Sequence, residues 1–168
     1  SYFATFGLPA IITNCSNNYG PHQHHEKFIP TIIRSLLNGT KIPVYGDGQQ
    51  VRDWLHVADH CSALISAFAN GIPGQKYNIG GDCEIGNLDL ITMLHEIFQV
   101  QQSNCHKTPL IDAIQYVEDR LGHDRRYAID ATKIKQDTGW TPRHEIMFGL
   151  EKTVAWYIHN QTPFTNTT

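Results

Sequence analysis

Two asparagines directly follow an apolar run that is typical of a buried strand. The run covers residues 10–15, and Asn17 and Asn18 come after it in a polar stretch. In an open α/β sheet, ligands bind where parallel strands end at their carboxyl edge. Each carboxamide offers both a donor and an acceptor, so the pair could contact a polar ligand. A turn built on the two asparagines is the alternative that the residues leave open.

Arg52 lies in an otherwise apolar extended stretch, beside Asp53 and Trp54. A planar guanidinium can contact a phosphate through two parallel hydrogen bonds, and a neighbouring carboxylate can orient it. The alternative is a structural Arg52–Asp53 pair with Trp54 in the core. Both interpretations remain open on the residues alone.

The stretch from Asp119 to Tyr127 holds three arginines, one histidine and two aspartates in nine residues. A run of charges is usually a solvated face. This run, however, mixes signs, contains Gly122 and His123, and leads into an apolar pair. A loop that faces a ligand fits these features at least as well.

Several common chemistries have no motif in this sequence. There is no Gly-rich dinucleotide or phosphate loop between a strand and a helix, and no Gly-x-Ser-x-Gly elbow. Because no two of the four cysteines form a Cys-x-x-Cys pair, we predict reduced thiols rather than a zinc site, with Cys15 and Cys61 buried. His22, His24 and His25 could contact nickel or zinc, but they lack partner ligands, and no metal is predicted.

Alternating strands and helices must position these residues, which predicts the α/β class. Strands are predicted over residues 10–15, 42–45, 51–56, 77–79 and 114–117, and loops over 16–25 and 119–126. Helices are predicted over 1–6, 26–38, 59–70, 87–98 and 131–138 and from His144 onward, with Gly39 and Gly139 as stops. Asp59 and Asn87 are predicted caps, and residues 99–112 are predicted to be irregular. The predicted core positions of the second helix are Phe28, Ile29, Ile32, Ile33, Leu36 and Leu37. Those of the third, fourth and last helices are Cys61, Leu64, Ile65 and Phe68; Leu90, Ile91, Leu94, Ile97 and Phe98; and Ile146, Leu150, Val154 and Tyr157.

Composition excludes other classes of protein. The chain has 168 residues, 40% of them hydrophobic and 17% charged, and a formal net charge of -3. This length suits one domain with its own core. The charge gives no basic patch for nucleic acid or an anionic membrane surface, and no apolar stretch is long enough to span a bilayer. We therefore expect a cytoplasmic protein that binds neither nucleic acid nor membrane.

Together these stretches resemble the extended short-chain dehydrogenase/reductase superfamily and, within it, the dTDP-glucose 4,6-dehydratase family. The Asn-Tyr-Gly-Pro motif at residues 18–21 is shared across the superfamily. Arg-Asp-Trp-Leu at 52–55 combined with Gly-His-Asp-Arg-Arg-Tyr at 122–127 is far more specific. The other matching stretches, in the family's order, are residues 14–17, 26–30, 43–48, 77–81 and 128–130.

The resemblance implies an NAD-dependent lyase that converts dTDP-glucose to dTDP-4-keto-6-deoxyglucose in dTDP-rhamnose synthesis. It implies that residues 1–168 form the carboxyl-terminal part of such an enzyme. Separately, the polar composition of residues 160–168 predicts a disordered tail. The implied fold is the last parallel strands of a Rossmann-like sheet plus the small α/β substrate-binding lobe.

The resemblance also implies roles for individual residues. Asn18 would contact NAD and Asn17 the nucleotide-sugar, while Arg52 would hold the diphosphate with help from Asn87. The remaining implied substrate-binding residues are Lys27 and Phe28 at the sugar nucleotide, Pro43, Val44 and Tyr45 at the nucleobase, and Asp119, Arg120, Gly122 and His123 in a closing segment.

The sequence departs from the family pattern at a few positions. Residues 21–25 are His-rich, Leu121 stands where the family usually has Pro, and residues 99–112 match poorly. These departures leave the substrate detail open.

The catalytic residues of the family have no counterpart in this chain. No tyrosine is followed four residues later by lysine, and no Asp-Glu dipeptide occurs. The family uses the Tyr–Lys pair for base chemistry and the Asp-Glu pair for elimination. We therefore expect the sugar-nucleotide-binding half of a dehydratase, inactive alone and without catalytic residues of its own.

Other hypotheses remain. A stand-alone, non-catalytic sugar-nucleotide-binding or scaffold protein is one, and another nucleotide-sugar dehydratase, epimerase or decarboxylase is a second. Because the strands near residues 10–15 and 77–79 would lack sheet neighbours, we also expect a homo-oligomer.

Overall fold

The computed structural model describes residues 2–102 and 108–160. Helices and strands alternate along the described chain, as predicted for the α/β class. The helices are α1 (Tyr2–Phe6), α2 (Phe28–Asn38), α3 (Val57–Asn70), α4 (Asn87–Gln101), α5 (Leu110–Ala113), α6 (Thr132–Thr138) and α7 (Ile146–His159). The strands are β1 (Ile12–Cys15), β2 (Asn17–Tyr19), β3 (Ile42–Tyr45), β4 (Val51–His56), β5 (Lys76–Ile79), β6 (Glu84–Gly86), β7 (Ile114–Val117) and β8 (Arg126–Tyr127).

Three small sheets carry the strands, and most of their pairings are parallel. β1 pairs with β5, and β3 pairs with β7, both parallel. In the third sheet β4 is central: β2 and β8 run parallel to it, and β6 runs antiparallel. β4 therefore pairs with β2, β6 and β8, which are the strands that follow β1, β5 and β7 in the chain.

Two hydrophobic clusters lie on opposite sides of β4. The larger cluster packs α2, α4 and α7 around Trp54, and the smaller one packs α3 and α6 around Leu55. Because successive side chains of a strand point to opposite faces, neighbouring residues of β4 enter different cores. The register of β4 thus fixes both cores together.

The predicted apolar stripes of α2, α4 and α7 are confirmed. Their buried positions include Ile29, Ile32 and Ile33; Leu90, Ile91, Leu94, Ile97 and Phe98; and Leu150, Val154 and Tyr157. Gly39 and Gly139 end α2 and α6 in the left-handed conformation, with φ of 64° and 71°. Glycine adopts this conformation without the steric cost of a Cβ, so both predicted stops are confirmed.

The predicted core face of α3 is wrong. Leu64, Ile65 and Phe68 are 40%, 69% and 87% exposed, whereas Ala63 and Ala67 are buried. The small alanines let α3 approach β4, β5 and α6 closely, and the large apolar residues therefore lie on the opposite face. Cys61 shares that exposed face, so its predicted burial is also wrong.

Both predicted helix caps are wrong. His56 is the N-cap of α3, since its Nδ1 accepts a hydrogen bond from the Ala58 N–H, and Asp59 lies within the first turn. Gly86 precedes α4, and Asn87 is already helical. In each case a strand runs directly into the helix. The helix therefore begins before or at the residue that was predicted as its cap.

Some predicted boundaries also differ. The predicted loop 16–25 contains β2, and the predicted irregular stretch 99–112 contains the end of α4 and the start of α5. Residues 103–107 and residues 161–168 of the predicted tail lie outside the described residues, while Asn160 follows α7 as its C-cap. Among the described helices, none combines the length and the apolar character needed to cross a membrane.

Candidate functional site

A cleft of about 320 Å³ lies between strands β2, β3 and β4, the starts of α2 and α4, and the loop after β7. Polar, charged and aromatic side chains share its walls. The lining residues are Asn17, Glu26, Lys27, Phe28, Thr31, Ile32, Pro43, Tyr45, Arg52, Trp54, Asn87, Arg120 and His123.

The back wall of the cleft consists of strands β2 and β4. Asn17 is paired with Trp54 in the parallel register, so the two residues lie side by side. Phe28, the first residue of α2, stacks on Trp54 with a centroid separation of 6.1 Å. This contact fixes the start of α2 against the strand that carries Arg52.

Arg52 does not pair with Asp53. Its guanidinium donates to the carbonyl oxygens of Val51 and Asp124, at 2.7 and 2.9 Å. Asp53 is 1% exposed and accepts hydrogen bonds from the backbone N–H groups of Gly81 and Cys83. The Arg52 guanidinium therefore lies in the cleft with no carboxylate partner among the described residues.

The loop after β7 forms the opposite wall. The guanidinium carbon of Arg120 lies 5.5 Å from the centroid of the Tyr45 ring, in a cation–π arrangement. Arg120 also contacts His123 Nε2 at 3.0 Å, and His123 Nδ1 lies 2.7 Å from Asp119 Oδ1. The hydrogen bond from His123 is the main reason that the pKa of Asp119 lies below its usual value.

The charge of the cleft is predominantly positive. Lys27, Arg52 and Arg120 line it, with Glu26 as the acidic residue among the lining side chains. Arginine side chains recognise phosphate oxygens through fixed pairs of N–H groups, and aromatic faces can pack on a planar base. The arrangement is therefore suited to an anion that also carries a flat ring.

Most of the residues that the family resemblance implied for substrate binding lie together. Nine of them line this cleft: Asn17, Lys27, Phe28, Pro43, Tyr45, Arg52, Asn87, Arg120 and His123. Val44 does not line it, because it is 2% exposed and belongs to the larger core. Asp119 lies behind the wall as a partner of His123, and Gly122 forms the turn of the loop, with φ of 70°.

Asn18, the implied NAD contact, lies outside the cleft lining. Its Nδ2 donates to the Ser16 carbonyl oxygen, and its backbone carbonyl accepts from Gln23. Its Oδ1 is buried and has no hydrogen-bond partner among the described residues. A buried acceptor without a donor costs free energy, so this oxygen fits a polar group supplied by a cofactor.

Sequence reasoning did not assign four of the lining residues to the site: Glu26, Thr31, Ile32 and Trp54. Thr31 and Ile32 follow Phe28 at helical spacing, so they belong to the same helix face. Trp54 is two residues after Arg52 and therefore shares its face of β4. Periodicity could thus have found three of the four.

The lining residues offer several groups that can bind a ligand. No group of three or more His, Cys, Asp and Glu side chains in residues 2–102 and 108–160 is arranged to hold a metal ion. The cleft can grip an anionic ligand from several sides, through guanidinium, ammonium, imidazole and amide groups.

Comparison with known proteins gives the family. The model of the GDP-mannose 4,6 dehydratase family matches residues 1–153. The curated dTDP-glucose 4,6-dehydratase of Xanthomonas campestris pv. campestris is 46% identical over 162 residues, which are 96% of this chain and 46% of that protein. The chain therefore spans about half the length of the curated relatives it matches.

Solved structures agree with this result. The dTDP-glucose 4,6-dehydratase of Bacillus anthracis, in complex with NAD, is 46% identical with a TM-score of 0.84, over 95% of this chain and 48% of that one. The DesIV dTDP-glucose 4,6-dehydratase of Streptomyces venezuelae, with NAD and TYD bound, is 41% identical with a TM-score of 0.85, over 95% and 47% of the two chains. The predicted resemblance and the predicted fold class are confirmed, and the chain belongs to the GDP-mannose 4,6 dehydratase family, where it is similar to dTDP-glucose 4,6-dehydratases.

Proposed function

We propose that this chain supplies the sugar-nucleotide-binding half of an NAD-dependent dTDP-glucose 4,6-dehydratase and has no turnover alone. The observation that carries the proposal is the position of Arg52. Its guanidinium lies in a cationic and aromatic cleft and has no carboxylate partner among the described residues. Such a group is available for a diphosphate.

The two carbonyl contacts of Arg52 prepare it for this role. Because Val51 and Asp124 each accept one hydrogen bond, the plane of the guanidinium is fixed before a ligand arrives. The remaining N–H groups of the guanidinium have no hydrogen-bond partner among the described residues and can donate to phosphate oxygens. A side chain held in its bound conformation loses less conformational entropy on binding, which favours affinity.

The other walls suit the remaining parts of a sugar nucleotide. Pro43 and Tyr45 offer flat surfaces for the base, with Val44 packed behind them in the core. Asn17 and Lys27 also line the cleft and offer an amide and an ammonium group for a sugar. We assign the base to β3 and the sugar to the β2–α2 side.

NAD, when bound, supplies the hydride acceptor for oxidation of a sugar hydroxyl and returns the hydride later. Asn18 would hold it, through the buried Oδ1 that has no hydrogen-bond partner among the described residues. The chain has no Tyr-x-x-x-Lys pair and no Asp-Glu pair to move the protons of that reaction. Binding without turnover is the consequence.

Titration calorimetry of the purified chain with dTDP tests the proposal. Arg52→Ala should weaken binding by about 10–100-fold, which corresponds to loss of hydrogen bonds to a charged group. Arg126→Ala is the matched control, because it removes the same charge from an exposed ion pair with Glu84 outside the cleft. It should leave the affinity nearly unchanged.

Three results would contradict the proposal. Equal losses in the two arginine variants would show a general charge effect rather than a site at Arg52. Tighter binding of UDP or GDP than of dTDP would favour another nucleotide-sugar enzyme. Conversion of dTDP-glucose by the purified chain would refute the absence of turnover.

We further propose that the chain self-associates and acts in the cytoplasm. Exposed Leu64, Ile65 and Phe68 give α3 an apolar face of the kind that pairs with another protein surface. Cys15, Cys61 and Cys83 are free thiols, which is typical of a reducing compartment.

A further inference from the structure

Gln50 lies behind the cleft and contacts three of the segments that form it. The residue is 2% exposed and precedes β4. Its Nε2 donates to the Tyr45 carbonyl oxygen at 3.3 Å and to Asp119 Oδ2 at 3.0 Å. Its Oε1 accepts from Asn87 Nδ2 at 3.5 Å, and its backbone carbonyl accepts from the Asn87 N–H at 2.9 Å. One buried amide thus joins the end of β3, the start of α4 and the loop after β7.

Asp119 carries the connection into that loop. While one carboxylate oxygen accepts from Gln50, the other accepts from the Arg120 N–H and from His123 Nδ1. Gly46 leaves the space that this requires, since a Cβ there would lie 2.8 Å from Asp119 Oδ2. The carboxylate therefore lies between β3, Gln50 and its own loop, with part of its surface exposed.

These contacts determine which nitrogen of His123 carries the proton. An ionised carboxylate only accepts hydrogen bonds, so Nδ1, which faces Asp119, must be protonated. A guanidinium only donates, so Nε2 must be the acceptor for Arg120. A neutral His123 with its proton on Nδ1 satisfies both neighbours.

We propose that Gln50 is a positioning residue for Arg120 and His123, and that it acts through Asp119. Gln50 places the carboxylate, the carboxylate selects the Nδ1-protonated form of His123, and Nε2 of that form holds the Arg120 guanidinium beside Tyr45. The consequence for ligand affinity rests on the proposed function of the cleft. The effect on His123 does not, because it belongs to the ligand-free chain.

Two variants separate positioning from packing. Gln50→Leu keeps nearly the same volume and removes the amide, so Asp119 loses one of its three hydrogen-bond donors. Asp119→Asn keeps the shape of the side chain, but an amide accepts at only one of its two ends, so either Gln50 or His123 loses its partner. The Asp119 side chain is 36% exposed, so Asp119→Asn should fold even if the buried substitution Gln50→Leu does not. The test then rests on Asp119→Asn.

The measurements are the ¹⁵N spectrum of the His123 ring in the ligand-free chain and the affinity for dTDP. The wild-type ring should show protonated Nδ1, and both variants should show exchange between the two tautomers. The affinity for dTDP should fall about ten-fold, the size expected for one lost hydrogen bond to a charged partner. Asp47→Asn is the control. Asp47 follows Gly46, and its exposed ion pair with Arg125 of the loop after β7 lies outside the cleft.

An unchanged His123 tautomer in folded Gln50→Leu and Asp119→Asn would overturn the proposal. So would an affinity loss in Asp47→Asn as large as in the two test variants. If the wild-type chain fails to bind dTDP, the proposed function fails, and the His123 tautomer then decides the role of Gln50 by itself.

Discussion

Replacing Asp59 should destabilise the chain far more than its place in a helix suggests. Asp59 is 3% exposed, and its carboxylate accepts three hydrogen bonds from the segment before α7. The donors are the backbone N–H groups of Arg143 and His144, at 3.0 and 2.9 Å, and His144 Nδ1 at 2.9 Å. The His144 ring also stacks on His56, the N-cap of α3, with a centroid separation of 4.1 Å. Asp59 thus joins the start of α3 to the segment that leads into α7.

The size of the effect follows from these contacts. A hydrogen bond to a charged group contributes roughly 1.5–3 kcal/mol, and the three bonds are not additive because they share one carboxylate. Arg143 and His144 are exposed residues, so water can replace part of what the donors lose. We expect Asp59→Ala to lower the free energy of unfolding by about 2–4 kcal/mol, which is roughly 5–15 °C in the unfolding midpoint of a chain this long. Asp59→Asn should be milder, since its amide oxygen still accepts.

The loss of unfolding free energy in Asp59→Ala should depend on pH. Burial alone would raise the pKa of Asp59, but the hydrogen bonds from His144 and Arg143 outweigh it and hold the pKa below its usual value. A lowered folded-state pKa means that the stabilisation is complete above the unfolded-state value and is lost as pH falls through the folded-state value. The difference between wild type and Asp59→Ala should therefore be full at pH 7 and shrink below about pH 4.

Thermal unfolding followed by circular dichroism measures this difference. Asp47→Asn, which removes an exposed ion pair with Arg125, is the matched control and should leave the midpoint nearly unchanged. A midpoint for Asp59→Ala equal to that of the control would refute the reasoning, as would a difference that grows toward acid pH.

Two further predictions concern burial and exposure. The Tyr19 hydroxyl is buried without a hydrogen-bond partner among the described residues, so Tyr19→Phe should leave the free energy of unfolding unchanged or raise it. Tyr77→Phe should lower the free energy of unfolding by about 1–2 kcal/mol, because the Tyr77 hydroxyl donates to Asp137 and accepts from the Ile72 N–H. Denaturant unfolding measures both variants, and equal effects would contradict the hydrogen-bond assignments. Phe68→Glu places a charge on the exposed face of α3 and should weaken self-association without lowering the unfolding midpoint. Sedimentation equilibrium checks this, and a wild-type chain that stays monomeric at high concentration would refute the proposed oligomer.

Periodicity predicted the helices wherever a large apolar stripe faces a core. The stripes of α2, α4 and α7 are buried as expected, because these helices pack on one another around Trp54. α3 shows why the same reasoning failed there. Its sequence offers two faces, and the alanine face is buried because close packing on β4 requires small side chains. How closely α3 can pack on β4 depends on the side chains of both elements. The sequence of α3 alone therefore does not predict which of its faces is buried.

The site was predictable to the extent that it depends on motifs. Arg52 and Asn17 were found as candidates from residue type and position, and the family resemblance implied Lys27, Arg120 and His123. Gln50 carried no such signal, because a buried amide between three distant segments resembles a surface glutamine in sequence. Asp59 likewise resembles a helix cap until its partners, more than eighty residues away in the chain, are known.

The alternation along β4 explains why the cleft and the fold cannot be adjusted independently. Arg52 and Trp54 face the cleft, while Asp53 and Leu55 face the other way. Asp53 accepts from the N–H groups of Gly81 and Cys83, and a Cβ on Gly81 would lie 1.9 Å from the Trp54 carbonyl oxygen. The glycine after β5 therefore permits close backbone contact rather than binding a nucleotide. A shift of β4 by one residue would bury Arg52 in the smaller core and turn Asp53 into the cleft. The contacts at Gly81 that oppose this shift therefore also keep the Arg52 guanidinium in the cleft.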